Sequence, residues 1–148
     1  MPLTPSSVIQ VKQTPDKGRG VFATEFIEKG TVFERVPVIV VPAEEVVIKK
    51  GLTLQNYVFE WGRGTVAIAL GFGSIYNHSY TPNARYDDKG RMTKIFTALR
   101  DIEAGEEITV NYNGDESDYS PVGFPVAGED DVAMEISESA CDPAVFSG

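Results

Sequence analysis

The chain has 148 residues, 42% of them hydrophobic, which suits one domain built around a single hydrophobic core. It contains no run of about 18 apolar residues, and residues 1–20 lack a basic region followed by an apolar one, so we expect no membrane span and no signal peptide. The net charge of −9 comes without a cluster of basic residues, so we also expect no direct binding to nucleic acid. We predict a soluble, intracellular protein in the cytoplasm, or in the nucleus if the host is a eukaryote or a eukaryotic virus.

The acidic residues are distributed unevenly along the chain. All 13 Lys and Arg and 13 of the 22 acidic residues lie in residues 1–112, whereas residues 113–148 hold nine acidic residues and no basic one. We predict a folded domain over residues 1–119 and an acidic C-terminal tail over residues 120–148. Such a tail fits either a basic protein partner or a solvated segment that only improves solubility, and the sequence leaves both open.

The elements that the sequence predicts are mostly strands. Dense Val and Ile, with frequent Gly and Pro turns, predict strands over residues 7–14, 20–27, 31–42, 91–102 and 106–112. Pro42 followed by two acidic residues predicts a short helix over residues 42–51, while residues 52–61 fit either a helix or a strand. The expected fold class is therefore mostly β, with small sheets and few short helices.

The segment KGRG at residues 17–20 is the first candidate for a binding loop. Two glycines let a backbone approach a phosphate or a nucleotide-like cofactor closely, but the full spacing of a P-loop or a dinucleotide motif is missing. Taken alone, the segment is better explained as a hairpin turn.

His78 is the only histidine, and it lies in the segment GFGSIYNHSYTPN at residues 71–83. Its neighbours are poor metal ligands and Cys141 is the only cysteine, so we expect no metal site and no internal disulfide. No Ser or Cys nucleophile in an elbow-like turn accompanies it, which argues against a hydrolytic triad. We therefore expect the histidine to hold backbone or cofactor atoms within a polar loop.

The segment GEEITVNY at residues 105–112 places two carboxylates before a strand that ends in a tyrosine. Adjacent strand residues point to opposite faces, so Glu106 and Glu107 are not expected to form an acid–base pair. We expect Glu106 to be solvated and Glu107 to make a structural hydrogen bond. Tyr112, in isolation, fits a core aromatic residue whose hydroxyl reaches water.

Three segments taken together in this order resemble the SET-domain protein-lysine methyltransferases: GRGVFA at 18–23, NHSYTPNARY at 77–86 and GEEITVNY at 105–112. The similarity covers roughly residues 7–119 and resembles most the small viral members that methylate histone H3. It implies the β-clip fold of small curved sheets with a C-terminal pseudoknot. It also implies that S-adenosylmethionine binds in one cleft and that a target lysine enters from the opposite face.

The resemblance also implies which residues form the site. The cofactor would be bound by Lys17, Gly18, Arg19, Gly20, Phe22, Asn77, His78 and Tyr112. The catalytic lysine channel would have Tyr112 at its end and Tyr86 and Tyr57 along its wall. No metal and no acid–base histidine are needed, because a nearby sulfonium and an apolar channel lower the pKa of the target amine.

Larger members of this family carry a cysteine-rich segment after the tyrosine that matches Tyr112, and this chain lacks it. Tyr119 or Phe124 is expected to close the channel instead, with help from a second subunit, since the small viral members are homodimers. The leading interpretation is an enzyme that methylates lysine on a basic protein or peptide, such as a histone tail. The alternatives are an inactive SET module that binds a basic partner, and a nucleotide-binding β-domain that uses residues 17–20.

Overall fold

A computed structural model describes residues 5–46, 54 and 57–122 of the chain. Over these residues, the regular elements are nine strands and one turn of 3-10 helix at Ala43–Glu45. The strands are β1 (Ile9–Gln13), β2 (Arg19–Ala23), β3 (Val32–Pro42), β4 (Val58–Glu60), β5 (Thr65–Ala69), β6 (Asn77–His78), β7 (Ala84–Lys89), β8 (Thr93–Ala98) and β9 (Glu107–Val110). None of the helical structure in these ranges is long and apolar enough to cross a membrane.

The strands form two sheets. The order of the first is β1-β2-β9-β6, in which β1, β2 and β9 run antiparallel and β6 pairs with β9 in parallel. The order of the second is β4-β5-β3-β8-β7, and every pairing in it is antiparallel. The last strand therefore lies between two strands from distant parts of the chain. Small sheets with almost no helix confirm the predicted, mostly β fold class.

The segment after β9 folds back against the loop that follows β6. Asn111 donates a hydrogen bond from Nδ2 to the carbonyl oxygen of Asp118 at 2.6 Å, and the Tyr80 hydroxyl donates to the carbonyl oxygen of Ser120 at 3.3 Å. This packing matches the C-terminal arrangement that the resemblance implies. The division of the chain between residues 119 and 120 stays a prediction, because the tail beyond residue 122 lies outside the described residues.

Strands rich in aliphatic residues lie where the sequence predicts them. Each of β1, β2, β3, β8 and β9 overlaps a predicted segment, and β4 forms within the segment that fits either a helix or a strand. The helix predicted over residues 42–51 is present only as the 3-10 turn in its described part. Its remaining residues, from 47 onwards, lie outside the described ranges.

Strands β5, β6 and β7 are not predicted from the sequence. Strand β7 reads ARYDDK and has no aliphatic residue larger than alanine, so it shows no apolar alternation, yet it pairs with β8 along its whole length. Strand β6 has only two residues and pairs with β9. Both strands depend on pairing with a partner from elsewhere in the chain, which a local pattern does not reveal.

The two sheets share one hydrophobic core. Val21 and Ile108 from the first sheet and Phe96 from the second are fully buried, and Tyr76 stacks on Phe96 with 4.4 Å between ring centroids. Burying a large apolar side chain contributes about 1.5–3 kcal/mol to folding. The core therefore fixes the position of β9 relative to the second sheet.

One carboxyl group is buried beside this core. Glu34 on β3 accepts hydrogen bonds from the Tyr76 hydroxyl at 2.7 Å and from the backbone N–H of Phe72 at 2.9 Å, and burial raises its pKa. Gly71 has a φ of 58°, and an added Cβ would lie 2.8 Å from a carboxylate oxygen of Glu34. Glycine is therefore required where the segment 71–83 passes this carboxyl group.

Candidate active site

Strand β6 divides the candidate site into two sides. Asn77 and His78 are its two residues, so their side chains project from opposite faces of the first sheet. Asn77 is half-buried and contacts Glu107, whereas His78 is buried and contacts Tyr112. The face that carries Asn77 is named the polar side, and it is formed by Lys17, Gly20, Phe22, Asn77 and Glu107.

The segment KGRG forms part of the hairpin between β1 and β2. The backbone N–H of Thr14 donates to the carbonyl oxygen of Gly18 at 2.6 Å, and that of Lys17 donates to Thr14 Oγ1 at 2.8 Å. Gly18 has a φ of 68°, which suits glycine in a tight turn. The segment is therefore the hairpin turn that the sequence favours, and the fold also places it beside Asn77.

Glu107 connects the three sequence motifs on the polar side. Its Oε1 lies 2.6 Å from Lys17 Nζ, and its Oε2 accepts a hydrogen bond of 2.7 Å from Asn77 Nδ2. Asn77 Nδ2 also donates to the carbonyl oxygen of Arg19 at 3.0 Å, while the Arg19 side chain is exposed. The structural hydrogen bond expected of Glu107 is present, and through it Lys17, Arg19 and Asn77 come together.

Gly20 is required by the same network. An added Cβ would lie 2.5 Å from Glu107 Oε2 and 2.9 Å from Asn77 Nδ2, which is closer than real Cβ atoms approach such atoms. Phe22 lies on the same face of β2, in register with Glu107, and Lys12 Nζ lies 4.8 Å from its ring centroid. The predicted cofactor residues of the hairpin, of β2 and of Asn77 are therefore grouped on one face.

His78 is directed to the opposite face, where it holds Tyr112. The backbone N–H of Tyr112 donates to His78 Nδ1 at 2.9 Å, which requires that this nitrogen be unprotonated. The imidazole centroid also lies 4.4 Å from that of the Tyr80 ring and 5.2 Å from that of Tyr112. The side chain of His78 therefore positions the tyrosine and does not join the predicted cofactor residues on the polar side.

A cavity of about 470 Å³, named the aromatic cavity, lies next to Tyr112. Tyr57, Tyr86 and Tyr112 all line it, together with residues of β4, β7, β8 and the turn after β9. The fold thus brings together all three tyrosines that the sequence assigns to a lysine channel. Tyr57 is 42% exposed and borders solvent.

The hydroxyls of two of these tyrosines are held by backbone carbonyls. Tyr112 donates to the carbonyl oxygen of Tyr76 at 2.5 Å, and Tyr86 donates to that of Tyr112 at 3.2 Å. Burial is the largest cause that raises the pKa of each of these two phenols to about 12. Both groups are therefore neutral hydroxyls at physiological pH.

Lys94 and Asp88 also line the aromatic cavity, although neither lies in one of the three sequence motifs. The sequence signal for Lys94 lies in β8, which reads TKIFTA and buries its second, fourth and sixth residues. Lys94 occupies the first of these buried positions, where an apolar residue is usual. A lysine on the buried register of a strand is the pattern that could have identified it.

Glu106 is partly exposed to solvent, with 28% of its side chain accessible, and it also makes hydrogen bonds. It accepts hydrogen bonds from Arg100 Nη2 at 2.5 Å, from Asn83 Nδ2 at 3.1 Å and from the backbone N–H of Glu103 at 3.1 Å. Asn83 also donates to the carbonyl oxygen of Glu107 at 2.8 Å. Asn83 fixes the start of β9, because it bonds to the backbone of Glu107 and of Thr109, and the Glu106 carboxylate holds this asparagine in place.

Tyr119 and Phe124 are the two residues expected to close the lysine channel. Tyr119 stacks on Tyr80 with 6.1 Å between ring centroids, and it is not among the described residues that line the aromatic cavity. Tyr119 therefore does not line this cavity, and closure of the channel by Tyr119 or Phe124 stays a prediction. Phe124 lies outside the described residues. Across residues 5–46, 54 and 57–122, no group of three or more His, Cys, Asp or Glu side chains could hold a metal ion.

Comparison with known proteins identifies the family. Residues 18–113 match the model of the SET domain. The chain is 36% identical over 108 residues to the Schizosaccharomyces pombe "Histone-lysine N-methyltransferase, H3 lysine-37 specific", an alignment that covers 72% of this chain and 74% of the relative. It is also 31% identical over 142 residues to the Caenorhabditis elegans histone-lysine N-methyltransferase mes-4, covering 78% of this chain and 15% of the relative.

A solved structure shows the same fold. It is a crystal structure of a Plasmodium falciparum protein classed as a histone methyltransferase, with a TM-score of 0.63 and 28% sequence identity. The alignment covers 74% of this chain and 95% of that one. Residues 18–113, which match the SET-domain model, include Asn77, Glu107 and Tyr112. The chain belongs to the SET-domain family of protein-lysine methyltransferases.

Proposed function

We propose that this protein transfers methyl groups from S-adenosylmethionine to the side-chain amine of lysine in a basic protein substrate, with histone H3 as the leading candidate. The observation that carries the proposal is the convergence of three distant motifs on β6 and β9. They form a polar face suited to a charged cofactor and, beside Tyr112, a cavity lined by tyrosines. The names of the two histone-lysine methyltransferase relatives support the choice of histones.

The polar side fits the amino-acid part of S-adenosylmethionine, which carries an ammonium and a carboxylate. Lys17 and Glu107 offer one charge of each sign, 27% and 17% exposed, and Asn77 adds an amide. Space is also open beside Gly18, where an added Cβ would meet no atom within 4 Å. Lys17, Gly18, Arg19, Gly20, Phe22 and Asn77 would hold the cofactor here, together with the backbone of His78 and the edge of Tyr112.

The aromatic cavity fits a lysine side chain. Tyrosine rings pack against its methylene groups and attract its ammonium as it enters. S-adenosylmethionine, when bound, supplies an electrophilic methyl group on a positively charged sulfur. The lysine nitrogen attacks as a neutral amine, so the N–C bond forms while the C–S bond breaks, and the proton has left to water.

Tyr112 and Tyr86 orient this reaction. The Tyr112 hydroxyl is fixed by the carbonyl oxygen of Tyr76, and the carbonyl oxygen of Tyr112 is bonded by Tyr86. Fixed hydroxyl and carbonyl groups at the end of a narrow cavity direct the amine lone pair towards the methyl carbon. Tyr57 completes the wall near solvent.

A basic substrate is supported by the charges near the aromatic cavity. Glu60, Asp87 and Asp88 line it, and Asp87 is also paired with Arg85 at 2.8 Å. Carboxylates around the entrance attract a peptide rich in Lys and Arg and raise its rate of association. The acidic tail would extend this attraction beyond the folded domain.

The central experiment is incubation of the purified protein with methyl-tritiated S-adenosylmethionine and recombinant core histones, followed by mass spectrometry of the products. We expect label on lysine of histone H3, and the spectra report the position and the number of methyl groups. Label only on other basic proteins of a lysate would contradict the histone assignment but not lysine methylation. Failure to bind S-adenosylmethionine in calorimetry would contradict the proposed reaction.

The role of the tail is tested by a variant that ends at Val122, which keeps the hydrogen bonds to Ser120. The deleted segment carries six acidic residues and no basic one. We expect the KM for histone H3 to rise about threefold at low salt and to change less at 0.5 M salt, because exposed charges are screened. The same KM for both chains at low salt would leave the tail as a solubilising segment.

The homodimer stays a prediction that sedimentation tests. The finding of only monomer at assay concentration would contradict it.

A further inference from the structure

Lys94 is buried in a box of three aromatic rings and one carboxylate. Only 1% of its side chain is exposed, and its Nζ lies 4.3 Å from the ring centroid of Phe59, 4.5 Å from that of Tyr86 and 5.5 Å from that of Trp61. Asp88, its partner across β7 and β8, completes the box with Oδ1 at 2.6 Å from Nζ. Burial lowers the pKa of Lys94, while the ring faces and the Asp88 carboxylate favour its ammonium form and oppose this effect. This set of five residues is named the Lys94 box.

The Lys94 box shares its walls with the aromatic cavity. Phe59, Tyr86, Asp88 and Lys94 itself all line the cavity. Tyr86 serves both sites, because its ring contacts the lysine ammonium while its hydroxyl bonds to the carbonyl oxygen of Tyr112. The charge of Lys94 is therefore held in the wall of the cavity that a target lysine would enter.

Apart from Lys94, the charged residues that line this cavity in the described part of the chain are acidic. Glu60 comes from β4 and Asp87 and Asp88 from β7, and among the described lining residues Lys94 is the only basic one. Asp87 is paired with Arg85 at 2.8 Å on the surface. The titratable groups that face the cavity from the remaining elements are the phenols of Tyr57, Tyr76, Tyr86 and Tyr112, with Glu34 of β3 bonded behind Tyr76.

The acidic residues that line the cavity have two opposing effects on the reaction. Carboxylates attract a basic substrate, but they also stabilise the ammonium form of its lysine and so raise the pKa of the amine. Methyl transfer needs the neutral amine. A fixed positive charge in the same wall offsets the effect of the carboxylates on the pKa of the bound amine, because the interaction of charges is strongest at short distance.

On the basis of the proposed function, we propose that Lys94 is this fixed cation: it offsets the acidic wall, so that a target lysine bound in the aromatic cavity loses its proton at a lower pH. The ring faces and Asp88 hold its ammonium in one place, out of the path of the incoming side chain. Lys94 is thus a positioning residue that acts through the charge of the cavity.

The test compares the pH dependence of kcat for four proteins: the wild type, Lys94→Met, Asp88→Asn and the double variant. Methionine keeps the length and apolar packing of the side chain without its charge. The substrates are recombinant histone H3 and poly-L-lysine at saturating concentration, since kcat reports ionisations of the bound complex. Thermal unfolding of each protein is measured in parallel.

The expected shifts have opposite signs. Lys94→Met leaves Asp88 unpaired in the wall, so the midpoint of the kcat profile rises by about one pH unit and kcat falls about tenfold at pH values below it. Asp88→Asn leaves the lysine cation unpaired, so the midpoint falls. The double variant changes the net charge by zero, and its midpoint returns close to that of the wild type.

A purely structural role gives different results. It would lower kcat by the same factor at every pH in both single variants, with unmoved midpoints, and this would overturn the inference. Asp88 is half-exposed, so its variant should fold even if Lys94→Met does not, and an unmoved or raised midpoint for Asp88→Asn alone would also overturn it. A wild type that methylates neither substrate would instead overturn the proposed function, and with it the basis of this inference.

Discussion

The polar side and the aromatic cavity both include residues of β9, but they are built from different interactions. On the polar side, Lys17, Asn77 and Glu107 form an ion pair and hydrogen bonds that remain partly exposed to water. Beside the cavity, Tyr86 and Tyr112 are held by backbone carbonyls, and burial raises the pKa of each to about 12. One side is a network of charges, and the other is a set of neutral hydroxyls among rings.

This difference suggests how binding and reactivity are separated in the molecule. Exposed charges bind a polar ligand and adapt to it, and each contributes little to stability because water competes for it. The phenols around the cavity are held in one orientation by backbone carbonyls and stay neutral, which suits a reaction of a neutral amine. Substitutions on the polar side should therefore change cofactor affinity, and substitutions around the cavity should change kcat.

The largest expected effect is that of Tyr112→Phe. The phenyl ring keeps its packing against His78, but the hydroxyl that bonds to the carbonyl oxygen of Tyr76 is lost. We expect kcat to fall about 100-fold or more, because positioned hydrogen-bonding groups commonly contribute this much. The Kd for S-adenosylmethionine, measured by calorimetry, should stay close to that of the wild type.

The matched control for this variant is Tyr119→Phe. Tyr119 lies in the same turn after β9 but stacks on Tyr80, and it does not line the cavity within the described part of the chain. Its kcat should remain within about twofold of the wild type, as for a surface change away from the site. Equal losses in the two variants would show that the turn as a whole is sensitive, and that the Tyr112 hydroxyl has no special role.

A smaller effect is expected from Gly20→Ala on the opposite face. The new Cβ would lie 2.5 Å from Glu107 Oε2 and 2.9 Å from Asn77 Nδ2, so the carboxylate and the amide must move apart. We expect the Kd for S-adenosylmethionine to rise about tenfold, or about 1.4 kcal/mol, with a smaller change in kcat at saturating cofactor. Calorimetry and steady-state kinetics measure the two effects separately.

Gly62→Ala is the control for that substitution. Its nearest contact would be Thr65 Oγ1 at 3.4 Å, and the residue lies in the turn between β4 and β5, away from the polar side. We expect no change in cofactor affinity. If both glycine variants weakened binding alike, crowding of Glu107 would not be the cause.

The two sides also differ in how far the sequence predicts them. The resemblance points to Lys17, Asn77 and Tyr112 because each lies in a short motif. Glu107 could be recognised as a structural hydrogen bonder, but its ion pair joins residues 90 positions apart, so its partner emerges only from the fold. The stacking of Tyr119 on Tyr80 likewise emerges only from the fold, because nothing local in the sequence indicates it.

The strands show the same limit. Aliphatic residues between Gly and Pro turns predict β1, β3 and β8, and each of these strands places residues in the core. The acidic residues of β7 conceal a strand, and they matter for the site because Asp88 pairs with Lys94 across the sheet. The pairing of Asp88 with Lys94 beside the cavity therefore depends on the register of the two strands, which composition alone does not reveal.

The smallest expected effect tests how completely the aromatic cavity excludes water. Burial raises the pKa of Tyr86 from 10.0 to about 12, with smaller contributions from Asp88 and Glu60. A raised pKa means that the protonated phenol stabilises the fold fully below pH 10, and that this contribution is lost as the pH rises towards 12. Tyr86→Phe removes the ionisable group, so its free energy of unfolding should not show this loss.

Urea unfolding of both proteins at several pH values between 9 and 11 measures the difference. We expect the stability of the wild type relative to Tyr86→Phe to decrease by about 1 kcal/mol over this interval. Parallel curves would mean that water reaches the hydroxyl as freely as in the unfolded chain. The cavity would then be a solvated groove, and the contrast between a network of charges and a set of neutral hydroxyls would not rest on burial at Tyr86.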